Sequence, residues 1–61
     1  MTDQYIALAI RMDGGYSILH FEADHQGEYV VKWGRHAHSR VREVAEEEAK
    51  KVAVERGVEY R

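Results

Sequence analysis

The sequence predicts an α+β fold in which a three-stranded antiparallel meander is followed by one C-terminal helix packed on one face of the sheet (β-β-β-α). Two observations predict it. Apolar residues alternate in three runs between residues 4 and 34, separated by glycine-containing turn signals, and the apolar spacing becomes helical after residue 39. With 61 residues, no linker and no repeat, the chain is expected to form a single domain over residues 1–61.

The first run, residues 4–12, alternates strictly, so odd and even positions point to opposite faces of a strand. One predicted face holds Ile6, Leu8, Ile10 and Met12, and the other holds Tyr5, Ala7, Ala9 and Arg11. The following Asp13-Gly14-Gly15 predicts a hairpin with a two-residue loop at Gly14 and Gly15, because glycine reaches positive φ without steric cost.

The second run, residues 16–23, pairs with the first through this loop, which places Leu8 opposite Phe21. The predicted inner face therefore holds Ser17, Leu19, Phe21 and Ala23, and the outer face holds Tyr16, Ile18, His20 and Glu22. A three-residue loop at residues 25–27 leads to the third run, residues 28–34. Its predicted inner residues are Tyr29, Val31 and Trp33, and its outer residues are Val30 and Lys32. Trp33, opposite Leu19, is expected to pack in the core rather than to stack on a ligand.

From residue 39 the sequence follows a helical period. The apolar stripe expected to pack on the sheet contains Val41, Val44, Ala45, Ala49, Val52 and Ala53. Ser39 is the expected N-cap, and Gly57 is expected to end the helix at the C′ position. The tail, residues 58–61, either frays or adds a short fourth strand.

Composition excludes several classes of function. Without cysteine the chain cannot form disulfides or bind metals through thiolates. Its four histidines lack the spacing of a zinc site, so we expect no metal and no cofactor. No apolar run approaches the roughly 20 residues of a membrane span, and no signal-peptide pattern is present, so we expect a cytoplasmic protein. No nucleophile has an obvious base, so an enzyme is not expected.

Charge is distributed unevenly along the chain. Residues 32–42, which we call the basic segment, contain four cations and no acid, so their formal charge is +4. The other 50 residues carry a charge of −6, which gives the net charge of −2. Together with Arg11, the segment offers an alternative nucleic-acid or anion site near the helix start, formed by Lys32, Arg35, His36, His38, Arg40 and Arg42. The other interpretation is a solvated loop whose cations pair with Glu22, Glu43 or Glu46.

The first strand and the outer sheet face predict a partner surface. Residues 4–10 contain neither charge nor proline, although they form an edge of the meander, and edge strands are usually blunted. Such an edge either pairs with another chain or is covered by the tail. The small residues of the outer face also make it flat and half apolar. We expect a second copy or a protein target to bind at Tyr5, Ala7, Ala9, Arg11, Ile18 and His20.

Two segments resemble parts of known families. Residues 5–21, with the Asp13-Gly14-Gly15-Tyr16 turn, resemble the start of HicB-type antitoxins, which have a three-stranded sheet with a helix. The Pro-Asp-Leu-Pro-Gly-like segment that follows in those proteins is missing, so toxin neutralisation is not implied. Residues 29–34 and the alanine-spaced helix are similar to the arm-type DNA-binding domains of phage integrases, whose three-stranded sheet enters the major groove. Here the helix is acidic at residues 46–48 and the sheet has few cations.

These observations predict a small non-catalytic protein-interaction module, a regulator or inhibitor of bacterial or phage type that acts through a sheet edge and face and forms a homodimer. The alternative is a nucleic-acid-binding domain that uses the basic segment. Overall acidity favours the first interpretation, because phosphate binding usually follows positive charge.

Overall fold

The computed structural model describes residues 3–61. It contains strands β1 (Gln4–Ile10), β2 (Tyr16–Ala23) and β3 (Tyr29–His36), helix α1 (Arg42–Arg56) and the two-residue strand β4 (Glu59–Tyr60). The sheet order is β3-β2-β1-β4; β1, β2 and β3 pair antiparallel, and β4 runs parallel to β1. The predicted meander with a C-terminal helix is confirmed, and the tail adds the short fourth strand.

The first hairpin differs from the prediction in its loop. The Arg11 N–H donates to the Gly15 carbonyl oxygen at 2.8 Å, so the loop has three residues, 12–14, and not two. Gly14 adopts φ +86°, and the Gly15 N–H donates to Asp13 Oδ1 at 2.9 Å. The carboxylate therefore holds the turn in the three-residue form, a common role of aspartate beside a glycine.

The longer loop reverses the orientation of β2. Leu8 lies opposite Ile18, and not opposite Phe21 as predicted. Because the pairing has moved by an odd number of residues, every side chain of β2 points to the face opposite to the predicted one. Ile18 consequently packs under the helix, whereas Leu19 and Phe21 lie on the other face.

The second hairpin has the predicted three-residue loop, residues 25–27. Gly27 adopts φ +83°, and the Asp24 N–H donates to the Glu28 carbonyl oxygen at 2.8 Å. Asp24 Oδ1 accepts hydrogen bonds from the N–H groups of Gln26 and Glu28, at 2.8 and 3.0 Å. The same kind of side-chain acceptor thus stabilises both turns.

A β-bulge divides β3. Phe21 lies opposite Val31 as predicted, but the next pair joins His20 to Trp33, so Lys32 is an extra residue without a partner in β2. The bulge inverts the alternation of β3 at this point. Trp33 therefore faces the helix, as predicted, although its cross-strand neighbour is His20 and not the predicted Leu19.

Helix α1 begins at Arg42, later than the expected start at Ser39. Val41 is the N-cap residue, and no side chain caps this end. Ser39 Oγ instead accepts a hydrogen bond from the Val41 N–H at 2.9 Å, within the turn that precedes the helix. The predicted N-cap at Ser39 is therefore wrong.

The predicted helix stop at Gly57 is confirmed. Gly57 adopts φ +70°, and its N–H donates to the Val54 carbonyl oxygen at 3.1 Å. The Val58 N–H donates to the Ala53 carbonyl oxygen at 3.0 Å. These two bonds form a Schellman motif, which turns the chain back toward β1.

The core lies between α1 and one face of the sheet. Its buried hydrophobic residues are Ile6, Ile18, Ala37, Ala45, Ala49, Val52 and Ala53. The alanines let the helix approach the sheet closely, and partly buried residues surround the contact: Leu8, Tyr16, Trp33, Val58 and Tyr60. The predicted stripe is confirmed from Ala45 onward. Val41 and Val44 precede this first buried helical residue and stay about half exposed.

Candidate interaction surface

The face of the sheet opposite α1 carries no covering element within residues 3–61. We call it the open face. The odd-numbered residues of β1 and β2 point to the open face. Before the bulge, the odd-numbered residues of β3 point to it as well. Its side chains are Tyr5, Ala7, Ala9, Ser17, Leu19, Phe21, Tyr29 and Val31. The prediction that Leu19, Phe21, Tyr29 and Val31 belong to the core face is therefore wrong.

Aromatic side chains form a cluster at one end of the open face. The rings of Tyr5 and Phe21 stack with centroids 4.9 Å apart, and Tyr29 meets Tyr5 edge-on at 5.0 Å. The Arg61 guanidinium lies 4.4 Å from the Tyr5 ring centroid and 5.5 Å from that of Tyr29. Arg61 also donates to Glu59 Oε1 at 2.7 Å, which raises the pKa of Arg61. Tyr5 is thus held between an aromatic neighbour and a cation.

The middle of the open face consists of Leu19 and several small residues. Leu19 pairs with Ala7 on one side and with Gly34 on the other. A β-carbon at Gly34 would lie only 2.8 Å from Leu19 Cδ2, so the leucine side chain lies over the glycine. Ala9 and Ser17, the next pair, are also small. Small residues therefore form this part of the face, and the side chains of Arg11 and His36 lie beside them over Gly15.

Of the predicted partner-binding residues, Tyr5, Ala7 and Ala9 lie on the open face, because their orientation does not depend on the first loop. Arg11 lies just beyond the end of β1, where its guanidinium donates to Ser17 Oγ at 3.3 Å and to Asp13 Oδ2 at 3.4 Å. The Gly15 N–H, with Arg11 as a further cause, lowers the pKa of Asp13.

The placement of Ile18 and His20 on the outer face is wrong. Ile18 has no exposed surface and His20 is 8% exposed, because the three-residue loop turns both toward the helix. His20 Nε2 lies 2.9 Å from Gln4 Oε1, and His20 Nδ1 lies 3.4 Å from Arg56 Nη1. A guanidinium has no acceptor, so Nδ1 accepts and Nε2 carries the proton. His20 is a hydrogen-bonded part of the core.

Trp33 lies opposite His20 on the helix side of the sheet. The Arg56 guanidinium lies 4.0 Å from the Trp33 ring centroid, and that of Arg35 lies 5.8 Å away. The indole is partly buried against the core. Its ring is therefore engaged by the protein's own arginines.

The basic segment is largely bound to acceptors of the same chain. Arg35 Nη2 donates to Glu48 Oε2 at 3.1 Å, and the His38 N–H donates to Glu48 Oε1 at 3.1 Å. Arg42 Nε donates to Glu46 Oε1 at 3.0 Å, one turn along the helix, which raises the pKa of Arg42. The pairing of Arg42 with Glu46 was among the expected alternatives, whereas Glu48 was not.

Two further members of the basic segment, His36 and Arg40, lie at the first hairpin loop together with Arg11. Arg40 Nη1 donates to the Asp13 carbonyl oxygen at 2.8 Å and so fastens the helix start to the first hairpin loop. Lys32 is exposed on the bulge. His36 lies opposite Ser17, and its Cε1 would be 3.2 Å from a β-carbon at Gly15. The structure thus brings Arg11, His36 and Arg40 together at residues 13–15. The other predicted anion-binding residues lie along β3, in the turn that follows it and in the first turn of α1: Lys32, Arg35, His38 and Arg42.

The free edge of β1 is partly occupied. The ladder between β1 and β4 contains Tyr5 and Ile6, and the Arg61 N–H donates to the Ile6 carbonyl oxygen at 2.9 Å. The expected alternative in which the tail covers the edge is therefore observed for this half of β1. Beyond it, Ile10 is 75% exposed and Met12 is fully exposed.

Other features of residues 3–61 show little convergent chemistry. A depression of about 390 Å³ on the outer side of α1 is lined by Lys50, Lys51, Val54 and Glu55. No three His, Asp or Glu side chains of the described chain come together as metal ligands. Over the same residues, no helix combines the length and apolarity needed to cross a bilayer.

No protein-family model matches this sequence, and no curated protein or solved structure is significantly similar to it. Fold and surface together define a small α+β domain with one helix on a four-stranded sheet and an open, largely apolar sheet face.

Proposed function

We propose that this protein is a small non-catalytic protein-interaction module, a regulator or inhibitor of bacterial or phage type, which binds a protein partner through the open face. One observation carries the proposal: the large apolar residues are divided between the two faces of the sheet. Leu19, Phe21 and Val31 lie on the face without a helix, where Leu19 and Phe21 are partly buried by their neighbours and Val31 is 52% exposed. A domain this small gains little by leaving such side chains in water.

The size of the open face indicates the strength of binding. The open face has an area of roughly 400 Å². This follows from three strands and the short β4 at a spacing of about 4.8 Å, with seven or eight residues in each long strand and a rise of about 3.3 Å per residue. A partner would therefore bury about 800 Å² in total, which is typical of weak and transient complexes. Complete burial of a Val, Leu or Phe side chain contributes about 1.5–3 kcal/mol, so three or four partly exposed residues add only about 3–6 kcal/mol, less than the roughly 8 kcal/mol of micromolar binding. The open face therefore supports a weak complex.

The charges and rings of the surface favour a protein over a nucleic acid. Binding to a phosphate backbone needs cations that are free to replace counterions. Arg35 and Arg42 are instead bound to Glu48 and Glu46. Base stacking needs a free aromatic face, whereas Tyr5 lies between Phe21 and Arg61.

The proposal is tested by crosslinking from the open face. A photoreactive benzoylphenylalanine at position 31 should crosslink a discrete partner in lysate of the producing cells, and Phe21→Lys should abolish this product. The matched control carries the same group at position 54, on the outer side of α1, where Val54 is 80% exposed. Equal products from positions 31 and 54, or a product at position 31 that survives Phe21→Lys, would contradict the proposal.

Nucleic-acid binding is tested separately by electrophoretic shift with short single- and double-stranded DNA and RNA at 20 mM salt. The proposal predicts no shift at high micromolar protein. A shift that disappears as salt rises would instead support the basic segment as the binding site.

A further inference from the structure

Basic side chains meet at the end of the open face that adjoins the first hairpin loop. Arg11 follows β1, and its guanidinium lies on the open face because it donates to Ser17 Oγ at 3.3 Å. His36 ends β3 opposite Ser17, on the same face. Arg40 reaches the loop from the turn before α1 and donates to the Asp13 carbonyl oxygen at 2.8 Å. These side chains come from three parts of the chain, and we call them the cationic corner: Arg11, His36 and Arg40.

The missing side chain of Gly15 leaves room for this arrangement. Gly15 is buried, although it lies in a surface loop. A β-carbon at this position would lie 3.2 Å from His36 Cε1 and 3.8 Å from Arg11 Cδ, so an alanine would push the imidazole away. Gly15 does not have a positive φ. Space for the two basic side chains, and not backbone conformation, therefore favours glycine here.

The cationic corner carries a positive charge that residues 3–61 do not balance. Its neighbouring acid is Asp13, which lies 3.4 Å from Arg11. Arg40 donates to a carbonyl oxygen and forms no ion pair with a carboxylate of the described chain, unlike Arg35 and Arg42. Two arginines and one aspartate, with His36 neutral, leave a charge of +2 − 1 = +1 at the loop.

The two guanidinium groups also keep hydrogen-bond donors for a ligand. Each guanidinium has five N–H donors. Arg40 uses one of them at 2.8 Å, and Arg11 uses two at 3.3 and 3.4 Å. The Arg11 contacts are longer than the usual range of about 2.7–3.2 Å. A carboxylate can therefore accept from both arginines through shorter, charge-assisted hydrogen bonds.

We propose that the cationic corner binds a carboxylate of the protein partner, whose apolar residues cover the open face. This inference rests on the proposed function, since it adds a charged contact to the same surface. One carboxylate balances the charge of +1, whereas a phosphate monoester carries about −1.5 to −2. Apolar burial supports only a weak complex, so a charge-assisted contact adds both affinity and orientation.

The position of the corner fixes the spacing within the partner. Leu19, in the middle of the open face, pairs with Ala7, and Arg11 follows Ala7 by four residues. At about 3.3 Å per residue this separation is about 13 Å. In an extended partner segment the acidic residue therefore lies about four positions from the apolar residue that covers Leu19.

A phage-displayed library of random peptides, selected at pH 7 on the immobilised full chain, tests this inference. Selected peptides should combine an aromatic or aliphatic residue with Asp or Glu about four positions away. Selection on the double variant Arg11→Gln, Arg40→Gln should lose the acidic residue and keep the apolar one. The matched control, Lys50→Gln with Lys51→Gln, removes the same charge from the outer side of α1 and should select the same peptides as the wild type.

A double-mutant cycle measures the contact itself by fluorescence anisotropy with one selected peptide. Replacing its acidic residue by the amide should weaken binding about fivefold to tenfold, and the double arginine variant should do the same. With the amide peptide, the arginine variant should have no further effect. Additive losses, or an equal loss in the lysine control, would overturn the proposal. If circular dichroism shows that the double variant is unfolded, Arg11→Gln alone replaces it in the cycle.

The two proposals can fail separately. Peptides that lose binding in Phe21→Lys but show no acidic enrichment overturn the carboxylate site and leave the open face as the binding surface. Peptides that need both arginines but bind Phe21→Lys as they bind the wild type overturn the open face. A selection that depends on neither overturns both. A nucleic-acid shift that the double arginine variant abolishes would assign the cationic corner to phosphate and overturn the carboxylate site.

Discussion

Two adjacent alanine substitutions, Ile18→Ala and Leu19→Ala, report which face of β2 packs under the helix. Ile18 has no exposed surface and contributes to the core with Ile6 and the helical alanines, whereas Leu19 lies half-buried on the open face over Gly34. The two-residue loop expected from the sequence would give the reverse assignment. The two substitutions remove similar amounts of side chain, so their difference reflects the register.

The expected magnitudes follow from burial. Ile18→Ala removes three carbons at about 0.8 kcal/mol each and leaves a cavity that alanines cannot fill, for a loss of about 3 kcal/mol. Leu19→Ala at the half-covered position should cost about 1 kcal/mol. A domain of this size has a free energy of unfolding of roughly 3–9 kcal/mol at about 0.05–0.15 kcal/mol per residue. Ile18→Ala should therefore lose between a third and all of this stability, whereas Leu19→Ala should remain folded.

The assay is urea unfolding followed by far-UV circular dichroism at 5 µM protein. Ile18→Val, with an expected loss of about 1 kcal/mol, supplies a measurable value if Ile18→Ala has no folded baseline. If Leu19→Ala is the more destabilising substitution, or if Ile18→Val has no effect, the three-residue loop and the orientation of β2 described above are wrong.

Two further predictions concern the end of the helix and the strand that follows. Gly57 adopts φ +70° with open space around it, so Gly57→Ala should lower the free energy of unfolding by about 1 kcal/mol through backbone strain alone, and Gly57→Asn should lower it less. Thermal unfolding of both variants measures this difference. Equal melting temperatures for the wild type and Gly57→Ala would contradict the prediction. Burial raises the pKa of Tyr60, and nearby Glu46 raises it further. A phenol with a raised pKa in the folded state contributes stability that is complete below the unfolded pKa of about 10 and is lost as the pH rises through the folded pKa. Urea unfolding between pH 8 and pH 11 should therefore show a decline in stability that is smaller in Tyr60→Phe than in the wild type; parallel pH profiles would refute this.

Most of the fold can be read from the sequence, because its signals are local. The alternation of β1 and β2, the second loop with Gly27 and the helix stop at Gly57 each depend on a few neighbouring residues. The first loop could not be assigned, because Gly14 and Gly15 both permit a tight turn and only the hydrogen bond to Asp13 selects the three-residue form. β2 also carries apolar residues on both faces, so its pattern does not reveal the reversal.

The candidate site was predictable to the extent that it depends on β1. Tyr5, Ala7 and Ala9 keep their predicted face because the alternation of a single strand fixes it. Ile18 and His20 were assigned to the wrong face because the length of the first loop sets the orientation of β2. The pairing of Arg35 with Glu48 joins residues 13 positions apart on a strand and a helix, and no local pattern predicts it.

The bulge at Lys32 affects how the sheet meets other molecules in the cell. β3 is a long outer strand whose far side has no neighbour within residues 3–61, and such a strand can recruit identical strands without limit into a growing fibre. The extra residue breaks the even spacing of its amide and carbonyl groups and places an ammonium group at the break. A second strand therefore cannot continue the hydrogen-bond ladder past this position, which protects the protein from open-ended polymerisation while its flat side stays exposed.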